Sequence, residues 1–294
     1  VTPRLQGILL MAAAMACFAS LDTMAKHVML QLPAVVAVFF RYGLALLLTL
    51  AIIGRAGGPV LMATGHPWLQ VARGLLLVTS TWLNFFAISY LQLAQTAAIF
   101  FTVPLWVCAL SVPLLKETVG IRRWMAVVFG FLGVFIVMRP GTADFHPAMI
   151  LSIMSAICGA LYNITTRKVG IRDRAETSLF YVGLVGSLGA ALPLPWYWQM
   201  PEGTQWLFLV GMGLCGGFGH FMLIQAHRLA PAAVLSPFVY TQIVWMTALG
   251  FLVFGDVPDL WTIVGAAIVV ASGLFVFARE RLLGRSGEVA APLD

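Results

Sequence analysis

A stretch near the start of the chain returns in its second half. Cys17-Phe18-Ala19-Ser20-Leu21-Asp22-Thr23-Met24-Ala25-Lys26 reappears as Cys158-Gly159-Ala160-Leu161-Tyr162-Asn163-Ile164-Thr165-Thr166-Arg167, a shift of 141. At the same shift Phe39-Phe40 falls on Phe180-Tyr181. Leu93-Ala94 with Ala97 falls on Leu229-Ala230 with Ala233, a shift of 136. If each copy holds an odd number of membrane spans, the second copy lies upside down relative to the first. Inverted repeats of this kind build many secondary transporters, with the binding site between the halves near the bilayer midplane.

The copies are apolar enough to be membrane-embedded. Of the 294 residues 61% are hydrophobic and 10% charged, with a mean hydropathy of +0.96. A soluble domain carries about 25% charge. Apolar stretches of about 20 residues recur along the whole length, so the chain reads as an all-α polytopic membrane protein. A β-barrel is disfavoured because the stretches are continuous rather than alternating. Cys17, Cys108, Cys158 and Cys215 all lie inside apolar segments without C-x-x-C spacing, which supports neither a disulfide framework nor a zinc site. The first segment is longer than a signal-peptide core and another span follows at once, so it is expected to be retained.

Ten spans follow, at 5–29, 33–53, 69–90, 93–115, 121–138, 147–166, 176–197, 205–227, 231–254 and 259–278. Gly57-Gly58-Pro59, Arg139-Pro140-Gly141 and Met200-Pro201-Glu202-Gly203 supply turn chemistry between them. The chain divides into a first five-helix repeat, 1–141, a second, 142–280, and a polar tail, 281–294. With the N-terminus inside, thirteen Lys and Arg flank the inner side and only Lys26 and Arg139 the outer; Arg41 and Arg73 lie within spans. The excess places both termini in the cytoplasm. The net charge of +6 belongs to these flanks and to anionic lipid, not to nucleic acid. Gly213 and Gly217, and Gly130 and Gly133, have the spacing of close helix contacts. Trp68, Trp124, Trp196, Trp198 and Trp206 sit at span ends, where an interfacial belt is expected.

Ionisable groups inside a span are costly and are functional candidates by default. Asp22 is the deepest acid and Arg41 the deepest base. Each lies nine or ten residues from the first turn, so antiparallel neighbours bring them to one level. Lys26 is one helical turn beyond Asp22 on the same face. Three readings stand: Asp22 neutralises Arg41 or Lys26 and locks the hairpin; one cation receives a substrate carboxylate or phosphate; or Asp22 titrates and couples transport to protons. In the second copy Asn163 and Arg167 take the places of Asp22 and Lys26, so the frame is symmetric and the charge is not.

At the shift of 136, Asn84 in the third span faces His220 in the eighth, either as a helix–helix hydrogen bond or as a cavity pair. The fourth and ninth spans carry Thr102, Pro104 and Trp106, and Ser236, Pro237, Tyr240, Thr241, Gln242 and Trp245. An internal proline frees carbonyls and kinks a helix. Such a kink is tolerated where a cavity or a neighbour satisfies those carbonyls. At the same shift Trp106 falls on Gln242. The candidate substrate-binding set is therefore Asp22, Lys26, Arg41, Trp82, Asn84, Thr102, Trp106, Tyr162, Asn163, His220, Tyr240, Gln242 and Trp245, with no catalytic or metal-ligating set. Neither H-E-x-x-H nor G-x-S-x-G occurs, and no span holds paired carboxylates, so the chain is not expected to be an enzyme or to need a cofactor.

Leu114-Leu115-Lys116-Glu117-Thr118 followed by Gly130-Phe131-Leu132-Gly133-Val134 closes the first copy. Phe254-Gly255-Asp256-Val257-Pro258-Asp259-Leu260-Trp261 followed by Ala271-Ser272-Gly273-Leu274 closes the second. These turns resemble those of the ten-helix EamA branch of the drug/metabolite transporter superfamily, with Lys116 where glycine is usual and Asp256 for the commoner glutamate. Phe40-Arg41-Tyr42 and Ala97-Ala98-Ile99-Phe100-Phe101-Thr102-Val103-Pro104 look closest to a bacterial group that includes riboflavin and S-adenosylmethionine importers; aromatic amino acid exporters share the fold. The resemblance implies two inverted five-helix halves around a central cavity in the bacterial inner membrane, working by alternating access. The expected function is transport of a small amphipathic metabolite: an amino acid, an amino-acid derivative or a planar cofactor. The alternatives are a multidrug or organic-cation exporter and, in a different class, an intramembrane enzyme. Expected partners are the substrate, membrane lipid, and a coupling proton or counter-substrate; monomer and homodimer both fit.

Overall fold

The computed structural model describes residues 2–57, 62–116, 119–169 and 173–288. Gly58-Pro59 of the first expected turn, Glu117-Thr118, Arg172 and the last six residues of the expected tail lie outside these. Every regular element among the described residues is a helix: α1 Pro3–Met29, α2 Ala34–Gly57, α3 Pro67–Ile88, α4 Leu93–Phe100, α5 Val103–Leu115, α6 Ile121–Met138, α7 Ala148–Val169, α8 Ala175–Ala191, α9 Leu194–Tyr197, α10 Gln205–Leu229, α11 Ala232–Val239, α12 Thr241–Phe254 and α13 Leu260–Glu288. Nine stretches reach span length and apolarity, counting α4–α5 as one and the run Val234–Phe254 in α11–α12 as another. The remaining one, the seventh expected span (176–197), is α8, of 17 residues, which stops before Pro193 and is followed by the short α9. α13 runs on to Glu288, into the expected tail.

The copies interlock. α1 packs on α10 and, in mirror fashion, α7 on α3; α2 on α10 is matched by α8 on α3; α2 meets α8, and α6 meets α13. Most of the packing therefore runs between the copies. The buried faces of α1 and α7 repeat at the 141 shift: Ala14 with Ser155, Met15 with Ala156, Ala19 with Ala160, Val28 with Val169. Glycines set the closest approaches. A side chain at Gly133 would come within 2.9 Å of the Gly265 carbonyl oxygen on α13, and Gly213 and Gly217 of α10 receive Leu44 and Leu48 of α2. The five end-of-span tryptophans are all exposed.

The fourth and ninth spans are each interrupted over one or two residues whose backbone stays near helical values. α4 gives way to α5 at Phe101-Thr102, and α11 to α12 at Tyr240. Thr102 Oγ1 donates to the Ile99 carbonyl at 2.7 Å, and Thr241 Oγ1 to the Phe238 carbonyl at 2.6 Å. Hydroxyls that bond back into the preceding turn bend helices. These matched bonds put the two spans in register at a shift of 139, which pairs Phe101 with Tyr240 and Trp106 with Trp245. The left-handed caps Lys116 and Gly255 also pair at 139. The 136 register, with Trp106 on Gln242, is thereby corrected. Pro104 and Pro237 are not equivalent at 139, so the common device is the threonine.

Side-chain contacts join loops at each end of the bundle. At the end where the chain starts, Asp173 accepts hydrogen bonds from Thr64 Oγ1, the Gly65 N–H and Gln70 Nε2. At the opposite end Lys26 Nζ lies 2.9 Å from Asp256 Oδ2 and donates to the Leu91 carbonyl at 2.9 Å, over the ring of Phe254. Arg139 pairs there with Asp144 and Asp259, and Gln205 donates to Gln31.

Candidate functional site

A cavity of about 540 Å³ lies between the copies. Its wall is drawn from α1, α2, α3, α4, α5, α7, α10, α11, α12 and α13, together with Phe101 and Tyr240 at the two helix breaks. That volume is in the range that buries a drug-sized ligand, about 300–1,000 Å³. Phe18, Phe100, Phe101, Tyr162, Tyr240 and Phe277 give it an aromatic lining. At one extreme it reaches His227, two residues from the end of α10 on the side where the chain starts; His227 and Asn163 are exposed there. At the other extreme Lys26, Leu91 and Asp256 close the bundle outside the cavity. The cavity thus faces the end that carries the N-terminus.

Eight of the thirteen residues singled out in the sequence line this space: Asp22, Arg41, Asn84, Tyr162, Asn163, His220, Tyr240 and Gln242. Asp22 and Arg41 lie at the same depth, each seven residues from the end of its helix at the α1–α2 turn, about 10 Å at 1.5 Å per residue. They do not pair with each other. Asn84 Nδ2 donates to Asp22 Oδ1 at 3.3 Å, while Arg41 donates to Thr81 Oγ1 and sits beside the rings of Tyr42 and Phe85. Asn84 is thus not bonded to His220, whose ring meets Phe18 edge-on at 5.0 Å between centres. Arg73 stands behind Tyr162 at 5.4 Å, buried, and donates to the Ser178 carbonyl.

The other five lie off the cavity. Lys26 is taken by Asp256 and the Leu91 carbonyl, a partner that spacing within one helix could not reveal. Thr102 is buried and spends its hydroxyl on the α4–α5 break. Trp106 packs on Phe131 of α6, Trp82 stacks on the exposed Phe86, and Trp245 is itself exposed on an apolar flank. Large aromatics in a membrane helix satisfy neighbours and lipid as readily as a ligand. Outside the candidate set, yet on the cavity wall, stand Thr81, which orients Arg41, and Phe100, Phe101 and Phe277. The Thr79-Ser80-Thr81 run in an apolar span was the signal for the first; the aromatics carried none.

The family model described as "EamA-like transporter family" matches residues 5–139 and again 146–278. A riboflavin transporter of Vibrio cholerae is 32% identical over 92% of this chain and 93% of its own length. An S-adenosylmethionine uptake transporter of Rickettsia prowazekii is 28% identical over 88% of each. A pseudopaline exporter of Pseudomonas aeruginosa is 26% identical over 90% and 94%. A solved crystal structure at 16% identity, covering 94% of this chain and 98% of its own, shares the fold with a TM-score of 0.66. Two matched copies interlocked around one cavity, in a chain of apolar helices, make this protein a member of the EamA-like transporter family.

Proposed function

We propose that this protein is a secondary carrier of a small amphipathic metabolite, working by alternating access through the cavity between its two copies. The observation that carries this reading is the cavity's position. It lies where the interrupted helices of both copies meet, is reached from one end of the bundle, and stops short of the Lys26–Asp256 contact at the other. Discontinuous helices at the repeat interface are where carriers of this build hold substrate. A channel would need a continuous polar path; here one end is sealed.

The end that opens is rich in Lys and Arg and therefore faces the cytoplasm, with both termini on that side and the protein in the inner membrane. The named relatives move S-adenosylmethionine, riboflavin and pseudopaline. Their spread supports an organic solute with a ring or several polar groups, and it includes both uptake and export. An organic-cation exporter is the second reading, favoured by Asp22 among aromatic rings and opposed by Arg41 in the same wall.

The test is counterflow. Proteoliposomes holding the purified full-length chain would be loaded with S-adenosylmethionine, riboflavin or tryptophan and given trace labelled compound outside. Saturable accumulation of one of them, absent from protein-free vesicles, is expected. Flux that rises linearly without saturation, or no exchange with any organic solute, would overturn the reading.

A further inference from the structure

Asp22 and Arg41 are both half-buried in the wall of one cavity, at one depth, and neither forms an ion pair among the described residues. The ion pairs among the described residues join Lys26 to Asp256, Arg139 to Asp144 and Asp259, and Arg228 to Glu176. None involves Asp22 or Arg41, so among the described residues no opposite charge lies within 4 Å of either. Asp22 has one amide donor, from Asn84, and Arg41 one hydroxyl acceptor, Thr81. A charge in the middle of a span without a partner costs several kcal/mol, and hydrocarbon supplies no substitute. Bringing the two together would have relieved both. Both line the same space of about 540 Å³ without forming an ion pair, which leaves room there for a cation beside one and an anion beside the other.

We infer that the carrier selects zwitterions, compounds with an amino-acid head and a flat ring: the carboxylate lies on Arg41 and Thr81, the ammonium on Asp22, and the ring among the aromatic walls. This rests on the carrier reading above and narrows it. A guanidinium suits a planar carboxylate, and an ammonium suits a buried carboxylate that still has an open lone pair. Phe100, Phe101, Tyr162 and Phe277 supply ring faces. An uncharged flavin would fill the volume and leave both charges unmet. A simple organic cation would meet Asp22 and be repelled by Arg41, with Arg73 behind Tyr162 adding to the repulsion.

Two ligand series test this by equilibrium binding to the purified full-length protein in lipid nanodiscs. The first is tryptophan, tryptamine and indole-3-propionate, which share a ring and carry both charges, only the ammonium, or only the carboxylate. The second is S-adenosylmethionine, its decarboxylated form and 5′-methylthioadenosine, with riboflavin as the uncharged comparison. The complete head is expected to bind at least about tenfold tighter than either truncated form in at least one series. Arg41→Gln is expected to erase the difference between the complete and decarboxylated compounds, and Asp22→Asn that between tryptophan and indole-3-propionate. Riboflavin or a truncated compound binding as tightly as every zwitterion would overturn the inference. So would a wild-type ratio that neither variant changes. The wild-type series stands alone if a variant does not fold. Saturable riboflavin counterflow without zwitterion binding would sink this inference and leave the carrier standing, whereas no counterflow at all would sink both.

Discussion

Phe101 and Tyr240 are 139 residues apart, occupy equivalent positions at the two helix breaks, and pack against each other with ring centres 5.3 Å apart and planes tilted by 42°. The axis that relates the copies therefore runs between these two rings, at the cavity wall. They differ by one hydroxyl. That hydroxyl is buried without a hydrogen-bond partner among the described residues and presses against Gly273 of α13. A buried hydroxyl that makes no bond costs about 1–3 kcal/mol. Tyr240→Phe, which makes the second break like the first, is therefore expected to leave thermal unfolding unchanged or raise its midpoint. Gly273→Ala should destabilise by about 1–3 kcal/mol through overpacking, and by less in the Tyr240→Phe background, because the two groups touch. Equal losses in both backgrounds would show that the hydroxyl is not what Gly273 accommodates.

The contact between α6 and α13 is nearly backbone on backbone. A Cβ at Gly133 would lie 2.9 Å from the Gly265 carbonyl oxygen and 3.1 Å from Ile268 Cβ. Carbonyls of a packed helix cannot swing aside as a side-chain tip can. Gly133→Leu should cost about 2 kcal/mol or more, read as a lower unfolding temperature in detergent. Gly43 faces open space, and Gly43→Ala should change little beyond a small gain in helix propensity.

Much of this was legible in the chain, and the rest was hidden for identifiable reasons. The 141 shift between α1 and α7 could be read because both copies bury the same positions of the helix and keep some of the same residues there, Ala19 with Ala160 and Val28 with Val169. The 139 register of the fourth and ninth spans could not, because it rests on two threonine hydroxyls and two left-handed caps rather than on matching apolar residues. Asp22 and Arg41 announced themselves as charges within spans. Whether they would touch depended on side-chain directions, and those are set by Asn84 and Thr81 on a third helix. Lys26 looked like part of the same cluster since it stands one turn from Asp22. Its true partner lies 230 residues away, beyond the reach of any local pattern.

Asp173, in the connection between α7 and α8, gives a pH dependence with a definite sign. Partial burial pushes its carboxyl up, but hydrogen bonds from Thr64, Gln70 and the Gly65 N–H, with the field of His66, outweigh this and hold it below the ordinary carboxylate range. A carboxyl depressed in the folded state contributes stability above its unfolded value, about pH 3.9 for Asp. That contribution is lost as pH falls through the lower folded value. Unfolding temperature followed downward from pH 6 should therefore stay flat to about pH 4 and then drop. Asp173→Asn should flatten that last limb and lower stability at neutral pH. A variant curve parallel to wild type below pH 4 would assign the acid limb to other carboxyls.

The Lys26–Asp256 contact is the clearest candidate for what keeps the cavity shut at the end away from the N-terminus. Lys26 closes α1, and Asp256 follows the left-handed cap of α12. The ammonium also takes the Leu91 carbonyl beyond α3, so one side chain ties three connections together. The pair is mostly buried, with the lysine side chain 12% and the aspartate 23% exposed, so removing one partner strands the other charge and costs more than at an open surface pair. Removing it should shift the balance toward a form open at that end; about 1.4 kcal/mol would change the population tenfold. The probe is a cysteine at Asn84, which lines the cavity four residues from the end of α3, in a protein whose four native cysteines are replaced by serine or alanine. A charged thiol reagent added from the far side should label it slowly in the parent protein and about tenfold faster with Lys26→Met or Asp256→Asn. Exchanging the residues, Lys26→Asp with Asp256→Lys, should restore slow labelling. Unchanged labelling in both single variants would mean that apolar packing, not this pair, holds the end closed.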